Sequence, residues 1–184
     1  MTGVTRRAWM AHMAAGGAAA LVLGMAGLRR ALAADAVPKG VARVRGEAQI
    51  GRRPAERGME VKPDDVVTTG RDGQVVFVVG RDAFLARSNS RIELSGAAGR
   101  SVISGLRIVT GALLSVFEPG GGRRIQTSTA TIGIRGTGIY VEVQRMRIYA
   151  CTCYGEAELV PVDEPREAET VHTTHHDQPR YIYP

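Results

Sequence analysis

The sequence predicts an all-β domain of many short strands, a solenoid-like stack or a sandwich, placed after an N-terminal signal helix. Three observations lead there. Apolar, β-branched runs recur about every ten residues, Gly- and Asp-rich turn signals separate nearly all of them, and no sustained helical period follows residue 33.

Val41, Arg43 and Arg45 alternate with smaller residues up to Gly46, and Gln74 to Val79 (QVVFVV) is bounded by Gly73 and Gly80. Ala83 to Ala86, Arg91 to Leu94, Leu106 to Val109 and Ala112 to Phe117 continue the series. Arg123 to Gln126, Ile139 to Val143, Arg147 to Cys153 and Glu156 to Val160 complete it. Between them lie Arg71-Asp72-Gly73, Gly80-Arg81-Asp82, Gly96 to Gly99 and Pro119 to Gly122. Gly supplies the positive φ of tight turns, and Asp or Asn caps a turn through its own backbone.

Residues 1–33 read as an export signal. Arg6-Arg7 precede an uncharged Ala/Gly/Leu/Met run from Ala11 to Leu28, and Ala31-Leu32-Ala33 offers the small alternate residues that a signal peptidase accepts. The arginine pair followed by Trp9 and Met10 is similar to a twin-arginine signal, the route that carries folded proteins. A general secretory signal and an uncleaved anchor are the alternatives, the latter because the run approaches bilayer-spanning length. Residues 34–40 form a linker, 41–160 the β domain, and 161–184 a tail in which acidic residues, Pro165 and the histidines break the strand rhythm. Its last residues, Tyr181 to Pro184, are placed to lie back on the sheet.

The formal charge of +6 is concentrated in the leader, which holds Arg6, Arg7, Arg29 and Arg30 and no acid. Without it, 20 basic and 18 acidic side chains leave about +2. With no lysine-rich stripe and no interleaved aromatics, nucleic acid is excluded as a partner. The membrane is met only during export.

Cys151-Thr152-Cys153 holds the only cysteines. On a strand, residues two apart share a face, so both sulfurs point the same way but are poorly placed for an unstrained disulfide, whose dihedral lies near about 90°. With His172, His175 and His176 they make a candidate metal set for zinc, copper or an iron centre. A Cys-x-x-Cys-His haem motif is absent. Plain buried cysteines, a strained redox disulfide, intermolecular pairing and a pH-sensitive histidine patch are the competing readings. A catalytic cysteine is weaker, because only Asp177 adjoins the histidines to orient a base. Gly133-Ile134-Arg135-Gly136-Thr137-Gly138 has the wrong spacing for a phosphate loop and lacks the lysine. It reads instead as glycines at strand corners, with Arg135 available to pair with a buried carboxylate.

Four segments together resemble the FecR domain. Asp65 to Gly70 followed by Asp72-Gly73 is similar to its opening, and Leu106 to Leu113 to its central glycine-centred strand turn. Thr129 to Thr137 with Ile139 to Val141 is similar to its most recognisable segment, and Gly155 to Leu159 to its closing strand. The family relays outer-membrane signals through a periplasmic domain to a cytoplasmic sigma factor. Here only a few residues precede the apolar run, so the resemblance implies a free-standing exported domain. Its role would be non-enzymatic: periplasmic binding of an envelope protein or ligand. A metal or redox-cofactor protein using Cys151, Cys153 and the tail histidines is the alternative, and an envelope-polysaccharide binder a third.

Overall fold

A computed structural model describes residues 39–96, 102–120, 122–176 and 178–184. The segment read as an export signal, with Arg6, Arg7, Ala31 and Ala33, most of the expected linker, and Asp177 lie outside the described residues. Among the described residues, thirteen strands follow one another with a single 3₁₀ turn, Pro165–Glu167. They are β1 (Gly40–Arg45), β2 (Ala48–Ile50), β3 (Arg53–Pro54), β4 (Val66–Thr69), β5 (Gln74–Val79), β6 (Asp82–Ala86) and β7 (Arg91–Gly96). β8 (Ile103–Val116), β9 (Gly122–Gln126), β10 (Ala130–Val143), β11 (Ile148–Pro161), β12 (Glu169–Thr173) and β13 (Pro179–Ile182) complete the set. The all-β class stands, and among the described residues no helix is long and apolar enough to cross a membrane.

Not all strands are short. β8, β10 and β11 have 14 residues each and join segments that the sequence separates at glycines. Each long strand changes neighbours halfway along. The first part of β8 pairs with β7 and β9, its second part with β6 and β10. β10 passes from β9 to β8, and β11 from β13 to β12. Every changeover has a left-handed glycine beside it: Gly111 at φ 78°, Gly136 at 67° and Gly155 at 91°. An extended L-residue cannot turn this sharply, whereas glycine can, so the strand bends without ending. Strands that switch sheets at bends make the corners of folded-over β architectures.

The result is one sheet doubled over one core. One half runs β12-β11-β10-β9-β8-β7-β4-β2-β3, and the other is built from β13, β11, β10, β8, β6, β5 and β1. Among the described residues every pairing is antiparallel except β8 with β9, which fits the sandwich alternative rather than a solenoid of stacked coils. Ile50, Val67, Ile92, Ile108, Ile125, Ile132 and Ile134 from the first half join Val75, Phe77, Phe84, Leu113, Ile139, Val141 and Ile148 from the second in a single cluster. Phe84 stacks on Phe77 at 5.0 Å and meets Phe117 edge-on at 5.7 Å. Such packing is worth roughly 1.5–3 kcal/mol per fully buried large side chain.

The tail belongs to the sheet rather than standing apart from it. β12 and β13 both pair with β11, and Val171 and Ile182 enter the core. Two bonds from the Arg180 guanidinium to Glu169, at 2.6 and 2.8 Å, tie the two strands together. That contact holds the Glu169 carboxyl below its usual range. Its contribution is therefore present above the ordinary carboxylate pKa and fades as pH falls through the lowered one, and for so exposed a pair amounts to about 1 kcal/mol at most.

Candidate functional site

β11 carries both cysteines in its first half. Tyr149 and Cys151 alternate with the core residues Ile148 and Ala150, so their side chains lie on the outer face of the sheet. Cys153 is the extra residue of a bulge opposite Gly138 and Ile139, a device that re-aims a side chain. Both thiols are reduced and buried, at 6% and 7% exposure, yet neither belongs to the core cluster. What covers them is the chain after β12. The His176 N–H donates to the Cys153 carbonyl at 3.1 Å, and His176 Nδ1 stands 3.6 Å from Cys151 Sγ. His176 holds a left-handed φ of 39°, a costly conformation for a non-glycine residue and one that concentrates at functional sites.

The five candidate ligands are thus only partly brought together. Cys151 and His176 touch, and Cys153 lies beside Cys151 with its thiol 3.7 Å from the Cys151 carbonyl. The His175 ring packs edge-on to His176 at 5.3 Å. His172 is elsewhere: it faces Glu156 across the β11–β12 pair and bonds its carboxylate at 2.7 Å. Beyond the Gly155 bend, β12 borders the other half of β11, so a strand position that looks near in sequence lands in the wrong half of the sheet. Among the described residues, no group of three or more His, Cys, Asp or Glu side chains is gathered closely enough to hold a metal ion.

Burial pushes the Cys153 thiol up, and the adjacent Cys151 thiolate adds to it, against a smaller opposing effect of the Tyr140 backbone. Less thiolate is present at a given pH, and the thiolate is the nucleophile. Alkylation of Cys153 is therefore expected to lag behind that of the unfolded chain at pH 8 and to climb only at higher pH. Cys151→Ser removes the charge contribution and should bring the rate profile back toward that of an ordinary thiol. Mass-spectrometric alkylation kinetics check this.

The same outer face carries an aromatic cluster. Tyr140 and Tyr149 meet at 6.1 Å, and Tyr149 and Tyr181 at 5.3 Å. The Arg147 guanidinium lies 4.1 Å above the Tyr181 ring and donates to the Tyr183 hydroxyl at 3.0 Å. The polar edge is continuous: Tyr140 donates to Glu142, Gln144 donates to Glu142, and Arg147 donates to Gln144. Phenylalanines fill the core while these tyrosines face outward, Tyr181 and Tyr183 at 49% and 56% exposure.

No family model matches the chain, and no curated protein matches it. The fold is similar to two crystal structures, at 2.50 and 1.65 Å, of a candidate anti-sigma factor from Parabacteroides distasonis. Each shows 8% sequence identity and a TM-score of 0.49, over 65% of this chain and 58% of that one. The chain spans less than two thirds of the length of those neighbours.

Two features escape the sequence reading. Arg135 pairs with Glu156 at 3.3 Å, but on the surface; the buried pair is Arg123 with Asp82 at 3.0 Å. The tyrosine face also went unread, although one signal was available: all five tyrosines fall between residues 140 and 183.

Proposed function

We propose that the chain is an exported, non-enzymatic binding module of FecR type that holds a protein partner in the cell envelope. The contact face is the outer surface of β10, β11 and β13. The observation that supports this most directly is the Tyr140–Tyr149–Tyr181 cluster with Arg147 stacked on it. Tyr and Arg are the residue types that dominate interface energetics, because they bring large, rigid, partly polar area at low entropic cost. The FecR-like segments fit the same reading: three of the four contain or begin at the bends of β8, β10 and β11, which place this face.

The test uses the full chain in its own cells, with a photo-crosslinking residue at Tyr181 or at exposed Arg57 as control. A discrete protein adduct at Tyr181, absent at Arg57 and lost in Arg147→Ala, is the expected result. Against the purified partner, Arg147→Ala should weaken binding by about 30-fold, the scale of one hot-spot side chain. No adduct at Tyr181 defeats the interface. Export is checked separately: Arg6→Lys with Arg7→Lys should leave uncleaved precursor in the cytosol, and a processed periplasmic form in that variant removes the twin-arginine reading.

One contact favours a second reading, a soft-metal site at Cys151 and His176. Two ligands at about 2.3 Å (sulfur) and about 2.0 Å (nitrogen) from one tetrahedral ion stand about 3.5 Å apart, close to the observed 3.6 Å. Cys153, whose thiol stands 3.7 Å from the Cys151 carbonyl, is the candidate third ligand. Copper(I) or zinc titration should give stoichiometric binding that is lost in Cys151→Ser and in His176→Ala but kept in His172→Ala. Binding that survives the first two variants, or that needs His172, overturns this reading.

A further inference from the structure

On the opposite half of the sheet, the outer face holds a cleft of about 430 Å³, inside the range of about 300–1,000 Å³ typical of small-ligand sites. Its floor is a single row of register partners, Gly105 on β8, Arg124 on β9, Gly133 on β10 and Glu158 on β11. Ser95, Ser104 and Gln126 add hydroxyl and amide groups, and Arg135 stands at the rim.

The two glycines are not equivalent. A Cβ on Gly105 would lie 2.6 Å from the Arg124 carbonyl oxygen, so close strand approach demands glycine there. Gly133 has no left-handed φ, and its nearest neighbour to a built Cβ is the end of the Glu158 side chain at 3.4 Å. Neither backbone nor packing requires glycine at 133, and its effect is to leave room beside Arg124 into which the Glu158 carboxylate leans, 3.4 Å from where a Cβ would stand.

Charge is divided across this trough-shaped cleft. Arg123 is committed to Asp82 and Arg135 to Glu156. Arg124 and Glu158 stand two strands apart, about 10 Å between backbones, and form no ion pair with each other or with other described residues. One side of the trough therefore attracts a carboxylate and the other an ammonium.

Lining side chains are hydroxyl, amide, guanidinium and carboxylate, while Leu106 and Ile134 are buried in the floor. The strands beneath the trough are paired on both sides, so no backbone edge is offered to a peptide strand. We infer that this trough binds a small linear zwitterion, its carboxylate on Arg124 and its ammonium on Glu158. The inference uses neither the tyrosine face nor the thiols, so it stands or falls apart from the partner-binding reading.

The test is titration of the ¹⁵N-labelled protein with 6-aminohexanoate, hexanoate and hexylamine, followed through the Gly105 and Gly133 amide signals. The expected result is saturable movement with 6-aminohexanoate and at least about tenfold weaker binding of either single-charge probe. Arg124→Ala should abolish it. Glu158→Gln should erase the preference over hexanoate, and Gly133→Leu should block the trough while leaving both charges. Retained dispersion of the remaining amide signals shows that the variants are folded. No saturable movement, equal binding of hexanoate by the unaltered protein, or unchanged binding by Gly133→Leu overturns the inference.

Discussion

Replacing Gly111 by alanine is expected to cost about 3–5 kcal/mol, at the upper end of single-substitution effects. At φ 78° the residue lies where an L side chain is strained by roughly 1–2 kcal/mol. The larger part is steric. A Cβ would meet Ser90 Oγ at 2.3 Å, Ser90 Cα at 2.5 Å and the Asn89 carbonyl oxygen at 2.7 Å. Two of these three are backbone atoms that cannot swing away. Ser90 is itself fixed: its hydroxyl donates to the Ala112 carbonyl at 3.1 Å and accepts from the Ala112 N–H at 2.9 Å, while its own N–H donates to Thr69 Oγ1. Moving Ser90 aside exposes or orphans buried polar groups at about 1–3 kcal/mol each. Chemical denaturation measures the loss. Gly58→Ala separates the two causes, since Gly58 has φ 85° with nothing within 4 Å of a built Cβ, and only the strain should appear there. Equal losses at the two positions would mean that the Ser90 contact contributes nothing.

That corner shows how the molecule turns sequence into surfaces. At the bend the Ser90 side chain bonds both the N–H and the carbonyl of Ala112, and the same carbonyl accepts the Arg87 N–H at 2.9 Å, so β8 crosses from one half of the sheet to the other with this backbone satisfied. Across the bends, the outer face of one half carries tyrosines and thiols, and that of the other carries the charged trough. One set of three long strands serves both.

What the sequence discloses is governed by the two-fold period. Gln74 to Val79 is legible because four valines and Phe77 follow one another between two glycines, and it matches β5 residue for residue. Ala48–Ile50 is three residues long, too short for alternation to register. Glycine carries two meanings that composition cannot separate: Gly73 closes a turn between strands, whereas Gly111 bends one strand without ending it. The tail strands were hidden by Pro165, Pro179 and the histidines, though β12 does alternate, with Val171 and Thr173 inward. At the site, a common face for Cys151 and Cys153 follows from regular strand geometry, whereas the bulge that makes Cys153 the extra residue does not. The diversion of His172 to Glu156 does not either, because it depends on which half of β11 receives β12. Which face of a strand points to water is likewise a tertiary fact, and for that reason the tyrosines went unnoticed.

Asp82→Ala is expected to be a severely damaging change of another kind, again about 3–5 kcal/mol. Asp82 opens β6 fully buried, at 0% exposure. One carboxylate oxygen accepts the Glu118 N–H at 2.9 Å and the other accepts Arg123 Nε at 3.0 Å, with the Arg123 side chain only 11% exposed. The carboxylate thus fastens β6 to the connection between β8 and β9 and to β9 itself, beside Phe117 and Phe84. Alanine leaves a guanidinium in a poorly solvated place without its counter-charge, and the cost is the desolvation of Arg123 more than the lost attraction. The double variant Asp82→Leu with Arg123→Met removes both charges and should recover most of the loss, which a thermodynamic cycle would show as strong coupling. If each single variant instead costs less than about 1 kcal/mol, the pair is behaving as a solvated surface contact. The consequence reaches the trough, since β9 carries Arg124 one residue beyond Arg123: Asp82→Ala should weaken zwitterion binding through a loosened strand, whereas Arg124→Ala should remove binding and leave stability nearly unchanged.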